Sequence, residues 1–179
     1  MTKPIDITAA LAVPGWSTDA ELTWLATMAS TRARILELGS WQGRSAIAMA
    51  DNTAGRVVCV DTWNGSGAEH DQWLAGKDKN WLIMEFWRHV GHRTNINAWR
   101  TTSLEAAEES KGGLLYDMVF IDADHTEASV RADIHSWRPL LAPGGLLCGH
   151  DINWPGVAAA VNALCPGFQR GPGSLWWVQ

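Results

Sequence analysis

The stretch Ile35-Leu36-Glu37-Leu38-Gly39-Ser40-Trp41-Gln42-Gly43-Arg44-Ser45 constrains this chain more than any other. Its apolar start reads as a buried strand, Gly39 opens a turn, and a helix begins near Ser45. Strand, glycine turn and helix in that order build the crevice where doubly wound α/β folds hold nucleotide-like ligands. The glycine spacing narrows the choice. Gly39 and Gly43 give G-x-x-x-G, whereas the dinucleotide fingerprint needs G-x-G-x-x-G and a P-loop needs G-x-x-x-x-G-K-[ST]. Glu37, beside the turn, would repel phosphates. A carboxylate there suits a cationic or hydroxyl-rich ligand instead.

Val57-Val58-Cys59-Val60-Asp61 reads as a second buried strand with an acid at its carboxyl end. It lies about twenty residues on, where such folds place the acid that bonds ribose hydroxyls. That acid is compatible with NAD and with S-adenosylmethionine, and the first turn argues against NAD. Further strands are predicted over 96–101, 117–122 and 146–149. Helices are predicted over 45–51, 81–90, 104–110, 126–137 and 155–164. Ser17-Thr18-Asp19 caps an earlier helix that runs through Leu22, Leu25 and Met28, preceded by an extended lead-in over 1–15. Pro143-Gly144-Gly145 reads as a turn, and the last residues as a closing hairpin around a Gly-Pro-Gly turn. Residues 62–80 read as a long polar loop, expected to act as a mobile lid. Alternating strands and helices imply a parallel sheet covered on both faces, with the hairpin supplying one antiparallel strand.

At 179 residues the length suits one domain over 1–179. The net charge of −5 and the lack of a Lys/Arg run argue against nucleic acid and anionic membranes as partners. No apolar stretch reaches the roughly eighteen residues of a membrane span, and no signal-peptide pattern opens the chain. Three cysteines without C-x-x-C read as core residues of a reducing compartment, so a cytoplasmic location is expected. The twelve tryptophans are more informative. Trp41, Trp63, Trp73 and Trp154 fall in loops near strand ends, where they serve either as pocket lining or as surface packing.

Four stretches in order carry a resemblance. They are Glu37-Leu38-Gly39-Ser40 with Gly43-Arg44-Ser45, Val60-Asp61-Thr62-Trp63-Asn64-Gly65, Phe120-Ile121-Asp122-Ala123-Asp124-His125, and Leu141-Ala142-Pro143-Gly144-Gly145 through Gly149-His150-Asp151. With these the chain resembles class I S-adenosylmethionine-dependent methyltransferases. Within them it is most similar to small-molecule O-methyltransferases related to macrolide-sugar and cephalosporin-pathway enzymes. The resemblance implies a Rossmann-like three-layer αβα sandwich with a seven-stranded, mostly parallel sheet in the order 3-2-1-4-5-7-6. It implies S-adenosylmethionine as cofactor, contacted by Glu37, Gly39, Ser40, Gly43, Asp61, Thr62, Ser103 and Asp122. Asp61 would take both ribose hydroxyls and Ser103 would flank the adenine. Ser45 reads as a helix cap rather than a ligand. Thr102 stands where the family often has an acid.

The chemistry follows from the acceptor. A hydroxyl does not ionise near neutral pH, so methyl transfer to it needs a base, a metal, or both. By the same resemblance, the D-x-x-H pattern makes Asp122 a metal-binding acid and His125 a general base. His150 and Asp151 would complete a site with Asp122 for Mg2+ or Mn2+. Relatives tend to have Glu-Asp where this chain has His-Asp, which leaves a metal-free site with two histidines open. Asp124 reads as a cap or a supporting partner, and His70, His89, His92 and His135 as surface or structural residues. The expected partner is a small-molecule acceptor, a sugar or another secondary metabolite, and a homodimer partner could help cover the pocket. Two other readings stand beside this one: an NAD-dependent oxidoreductase, weakened by the absence of Tyr-x-x-x-Lys, and a cofactor-binding module without catalysis.

Overall fold

Residues 35–38 and 118–121 alternate in destination, as the period of a strand requires. In the computed structural model, which describes residues 4–179, Ile35, Met118 and Phe120 enter one apolar core. Leu36, Leu38, Val119 and Ile121 enter the other. A strand buried on both faces needs helices on both faces. The first core is closed by α2 (Asp19–Ala29), α3 (Arg44–Ala50) and α5 (Trp81–Val90). The second is closed by α6 (Ser103–Ser110), α7 (Glu127–Trp137) and α8 (Pro155–Leu164).

The strands are β1 (Arg34–Leu38), β2 (Arg56–Asp61), β3 (Ile96–Arg100), β4 (Tyr116–Ile121), β5 (Leu141–Gly149), β6 (Gln169–Arg170) and β7 (Trp176–Val178). They form one sheet in the order β3-β2-β1-β4-β5-β7-β6, the predicted order. The ladders from β3 to β5 are parallel, and β7 runs antiparallel to both its neighbours. The direction of strand order reverses between β1 and β4. That switch point is where open α/β sheets bind ligands, beyond the carboxyl ends of the strands.

Three local expectations change. The lead-in contains a short helix, α1 (Thr8–Leu11), and buries Ala10 and Val13; residues 1–3 of that segment lie outside the described part. The 62–80 loop contains α4 (Gly67–Leu74), a helix too short and too polar to leave an apolar period in the sequence. The Pro143-Gly144-Gly145 turn is absorbed into β5. Its register against β4 shifts between Tyr116 and Met118, so Leu141 pairs with Tyr116 before the irregularity and Leu146 with Met118 after it. This is how a bulge accommodates extra residues in a strand. No helix among the described residues is long and apolar enough to cross a membrane.

Candidate active site

The turn after β1 is built around two buried acids. Glu37 is fully buried, and its two oxygens accept from the hydroxyls of Ser40 and Ser45, each at 2.5 Å. Burial pushes its carboxyl up to about 7, against the pull of the two serines. Ser45 therefore ties α3 to β1 instead of capping the helix. Gly43 holds the N-cap position with φ +92° and packs against Val90 and Phe86. Glu37 and Gly43 sit behind the turn, and Gly39 and Ser40 line the cavity in front of it.

Asp61 joins this turn to the next one. Its Oδ2 accepts from the Ser40 and Trp41 amides at 2.9 Å each, and Oδ1 accepts from the Trp63 amide at 2.6 Å. Burial raises its carboxyl while those three amides oppose the rise. A carboxylate offers about four acceptor directions. With three used by the backbone, about one remains, on a side chain that lines the cavity. Both tryptophans it holds have positive φ, 47° at Trp41 and 52° at Trp63. Such backbone is disfavoured for bulky residues and persists only where neighbours enforce it. Trp63 is buried against Phe86 and its indole donates to the Trp41 carbonyl at 2.9 Å. Trp41 stacks on His70 with ring centroids 4.5 Å apart, and Trp16 lies 5.4 Å from Trp41 and 6.5 Å from Trp73. These rings fasten the lead-in and α4 over the cavity. His70, expected to be structural or at the surface, lines it.

The cavity has a volume of about 690 Å³, within the usual range for small-molecule sites. It lies over the carboxyl ends of β1, β2, β4 and β5. Thr62, Ser103, Asp122, His125, His150 and Asp151 all reach it, so the structure brings these residues together. Asp122 follows β4, and its amide donates to Leu38 O at 2.8 Å, extending the β1–β4 ladder. Burial pushes its carboxyl up to about 6. His125 Nε2 lies 3.0 Å from Asp151 Oδ2, and Trp154 packs on its ring at 4.7 Å between centroids. Asp151 has φ +59°. Burial works to raise its carboxyl, but bonds from His125 and His150 win and hold it well below the usual carboxylate range.

His150 is gripped from both sides. Nδ1 faces Asp151 at 3.2 Å and Asp122 at 3.7 Å, while Nε2 meets Glu21 Oε1 at 3.0 Å. Burial opposes its protonation, yet these carboxylates push it up to about 9. A histidine raised in the folded state contributes stability that is full below about 6.5 and is lost as pH rises through about 9. The melting temperature should therefore fall between pH 7 and pH 10 more steeply in the wild type than in His150→Gln. Parallel curves would show that His150 is not the group responsible.

Two residues of this site escape a sequence reading. Glu21 sits three residues after Thr18, and the structure has that capping box, with Oε2 accepting from the Thr18 amide at 2.7 Å. Its other oxygen reaches His150 and the Ser174 amide, 153 residues away in sequence. Nothing local signals that second role. Asp133 is a buried acid on α7 that accepts from the Ser103 hydroxyl. It does carry a signal: an acid placed among the inward residues Val130, Ile134 and Trp137 of an amphipathic helix. Asp124 accepts from the Thr126 amide at 2.8 Å, while Thr126 itself is the cap of α7, its hydroxyl accepting from the Ser129 amide. Asp124 thus supports the helix start from two residues before the cap.

A curated relative, the uncharacterized protein y4gI of Sinorhizobium fredii, is 28% identical over 161 residues, covering 80% of this chain and 17% of the relative. The chain thus spans about a sixth of that protein's length. Among solved structures, a putative caffeoyl-CoA O-methyltransferase from Staphylococcus aureus superposes with a TM-score of 0.69 at 16% identity, covering 93% of this chain and 86% of that one. An O-methyltransferase from Bacillus cereus in complex with SAH gives 0.66 at 15% identity, covering 96% and 85%. At these identities the similarity is one of fold. The family model described as "Methyltransferase domain" matches residues 36–152, from β1 through the His150-Asp151 pair, and the chain belongs to that family.

Proposed function

We propose that this chain transfers the methyl group of S-adenosylmethionine to a hydroxyl of a small, uncharged metabolite, with His125 as the general base. The observation that carries this is the His125–Asp151 pair at 3.0 Å, set in the same cavity as the Gly39 turn and Asp61. The SAH found in the Bacillus cereus protein is the demethylated form of the proposed cofactor. The cavity's charge supports it as well. Asp61, Asp122, Asp124, Asp133 and Asp151 line it, which suits a cationic ligand. Among its described lining residues Arg44 is the one arginine or lysine, and its guanidinium donates to the carbonyls of Val13 at 2.6 Å, Ser17 at 3.1 Å and Leu11 at 3.2 Å. Phosphate groups would find no uncommitted arginine or lysine there. This favours an uncharged sugar or secondary-metabolite acceptor.

When bound, S-adenosylmethionine supplies a methyl already activated on a sulfonium. What remains for the chain is alignment and removal of one proton. Asp151 accepts from His125 Nε2–H, which fixes the tautomer that leaves Nδ1 basic. It then stabilises the imidazolium formed when His125 takes the acceptor proton, the logic of an oriented acid–histidine pair. Trp154 holds the ring in place.

A metal is a separate question. Asp122, His125 and Asp151 each offer one ligand atom, all within 4.8 Å of one another. Two carboxylates and an imidazole would suit Mn2+ better than Mg2+. The expected ligand His150, however, is held by Glu21, Asp122 and Asp151 in a setting that favours its imidazolium. That charge already sits between the acids a metal would join, and an added cation would face it. We therefore assign the neutralising role to His150. Calorimetric titration with S-adenosylmethionine tests the cofactor, and folded protein that does not bind it would overturn the reading. Once an acceptor is found, EDTA should leave turnover within about twofold. Loss of activity that Mn2+ or Mg2+ restores would return the site to a metal.

A further inference from the structure

Ser103 and Leu104 at the start of α6, and Ala128, Ala132 and Asp133 on α7, line one part of the cavity. Small residues on α7 and the exposed face of Leu104 give this part apolar walls. It has one buried charge. Asp133 is 3% exposed, and Ser103 donates to Oδ1 only. Among the described residues Oδ2 makes no hydrogen bond, and Asp133 lines the cavity. Burial of such a carboxylate is costly without a donor, and its carboxyl is pushed up to about 6 by that burial, which leaves it mostly ionised at neutral pH. Thr102, the residue preceding Ser103, cannot serve instead. Its hydroxyl and amide are both committed to Glu105, at 2.8 and 3.1 Å, in the capping box of α6.

We propose that Asp133 reads the exocyclic amino group of the cofactor's adenine, accepting its N–H on Oδ2 while Ser103 fixes Oδ1. This rests on the cofactor reading above. The acid comes from α7, across the slot from the α6 terminus where the resemblance places one. A flat heterocycle bearing an amino donor matches apolar walls with a single acceptor. A carbonyl at the same ring position would set oxygen against carboxylate.

The test compares S-adenosylhomocysteine with S-inosylhomocysteine, in which the amino group is replaced by a carbonyl. The wild type should bind the adenosyl ligand at least about tenfold more tightly, because a lone buried acceptor facing a carbonyl loses its donor. Asp133→Asn keeps the shape and the Ser103 bond, and its amide can donate to the carbonyl. The preference should collapse toward unity or reverse. Ser103→Ala, which releases Oδ1, should narrow the ratio with less change to the buried charge, and it serves if Asp133→Asn does not fold. A ratio is insensitive to general loss of affinity, so a merely structural role would leave it unchanged. Wild type that binds both ligands equally, or variants that keep the wild-type ratio, would overturn the assignment while the cofactor reading stands. No binding of S-adenosylhomocysteine by folded wild type would overturn both.

Discussion

His125→Ala is expected to lower methyl transfer by about 10²–10⁴-fold, the usual contribution of a positioned acid–base group, while S-adenosylhomocysteine affinity stays within about twofold. The separation follows from where the side chain sits. His125 lies beyond β4, bonded to Asp151 and covered by Trp154. The turns around Gly39 and Asp61 are organised by Glu37, Ser40 and backbone amides at the ends of β1 and β2. Asp151→Asn should approach the same loss, because an amide can present its N–H to Nε2 and stabilise the wrong tautomer. Steady-state turnover and calorimetric affinity, measured on the same preparations, decide the matter. If affinity falls in parallel with turnover, His125 positions the cofactor and the base must be sought elsewhere in the cluster. Unchanged turnover at intact affinity would remove the base from the mechanism altogether.

Why some of this can be read from sequence and some cannot comes down to the range of each interaction. The run from Ile35 to Ser45 is legible because strand period, glycine turn and helix start are all local. The strand ends at Asp61, Asp122 and His150-Asp151 are legible for the same reason, since an acid closing an apolar run marks its own position. Asp61 shows where that reading thins out. The sequence places the carboxylate at the pocket, but three amides from two turns take most of its acceptor capacity, and they come from residues whose folding it directs. Glu21 is a sharper case. Its capping box is a four-residue pattern, whereas its contact with His150 spans 129 residues. That contact joins Asp151 and Asp122 in favouring the protonated form of His150, the residue expected to ligate a metal. Helix α4 is hidden for a different reason: it is held by the rings of Trp16, Trp41, His70 and Trp73, not by an apolar stripe of its own.

Gly39→Ala should destabilise the fold far more than the addition of one methyl group usually does. At φ +81° an added Cβ would stand 2.0 Å from the Asp122 carbonyl oxygen and 2.8 Å from Ala123 Cα. Two terms add. The left-handed backbone costs an L-residue about 1–2 kcal/mol, and forcing a carbon into packed backbone costs about 1–3 kcal/mol more. Together they come to roughly 3 kcal/mol, or about 6–12 °C in melting temperature for a chain of this size. Gly112 provides the control, since its φ is +76° and an added Cβ meets nothing within 4 Å. Gly112→Ala should therefore show the backbone term alone, a drop of about 2–8 °C. The difference between the two variants isolates the collision with Asp122. That collision also predicts a functional signature. The backbone that must give way carries Asp122 and leads within three residues to His125, so surviving folded Gly39→Ala should lose turnover as well as cofactor affinity. Equal melting temperatures for the two variants would mean that the β1 and β4 ends separate easily, and the base cluster could not then depend on their close approach.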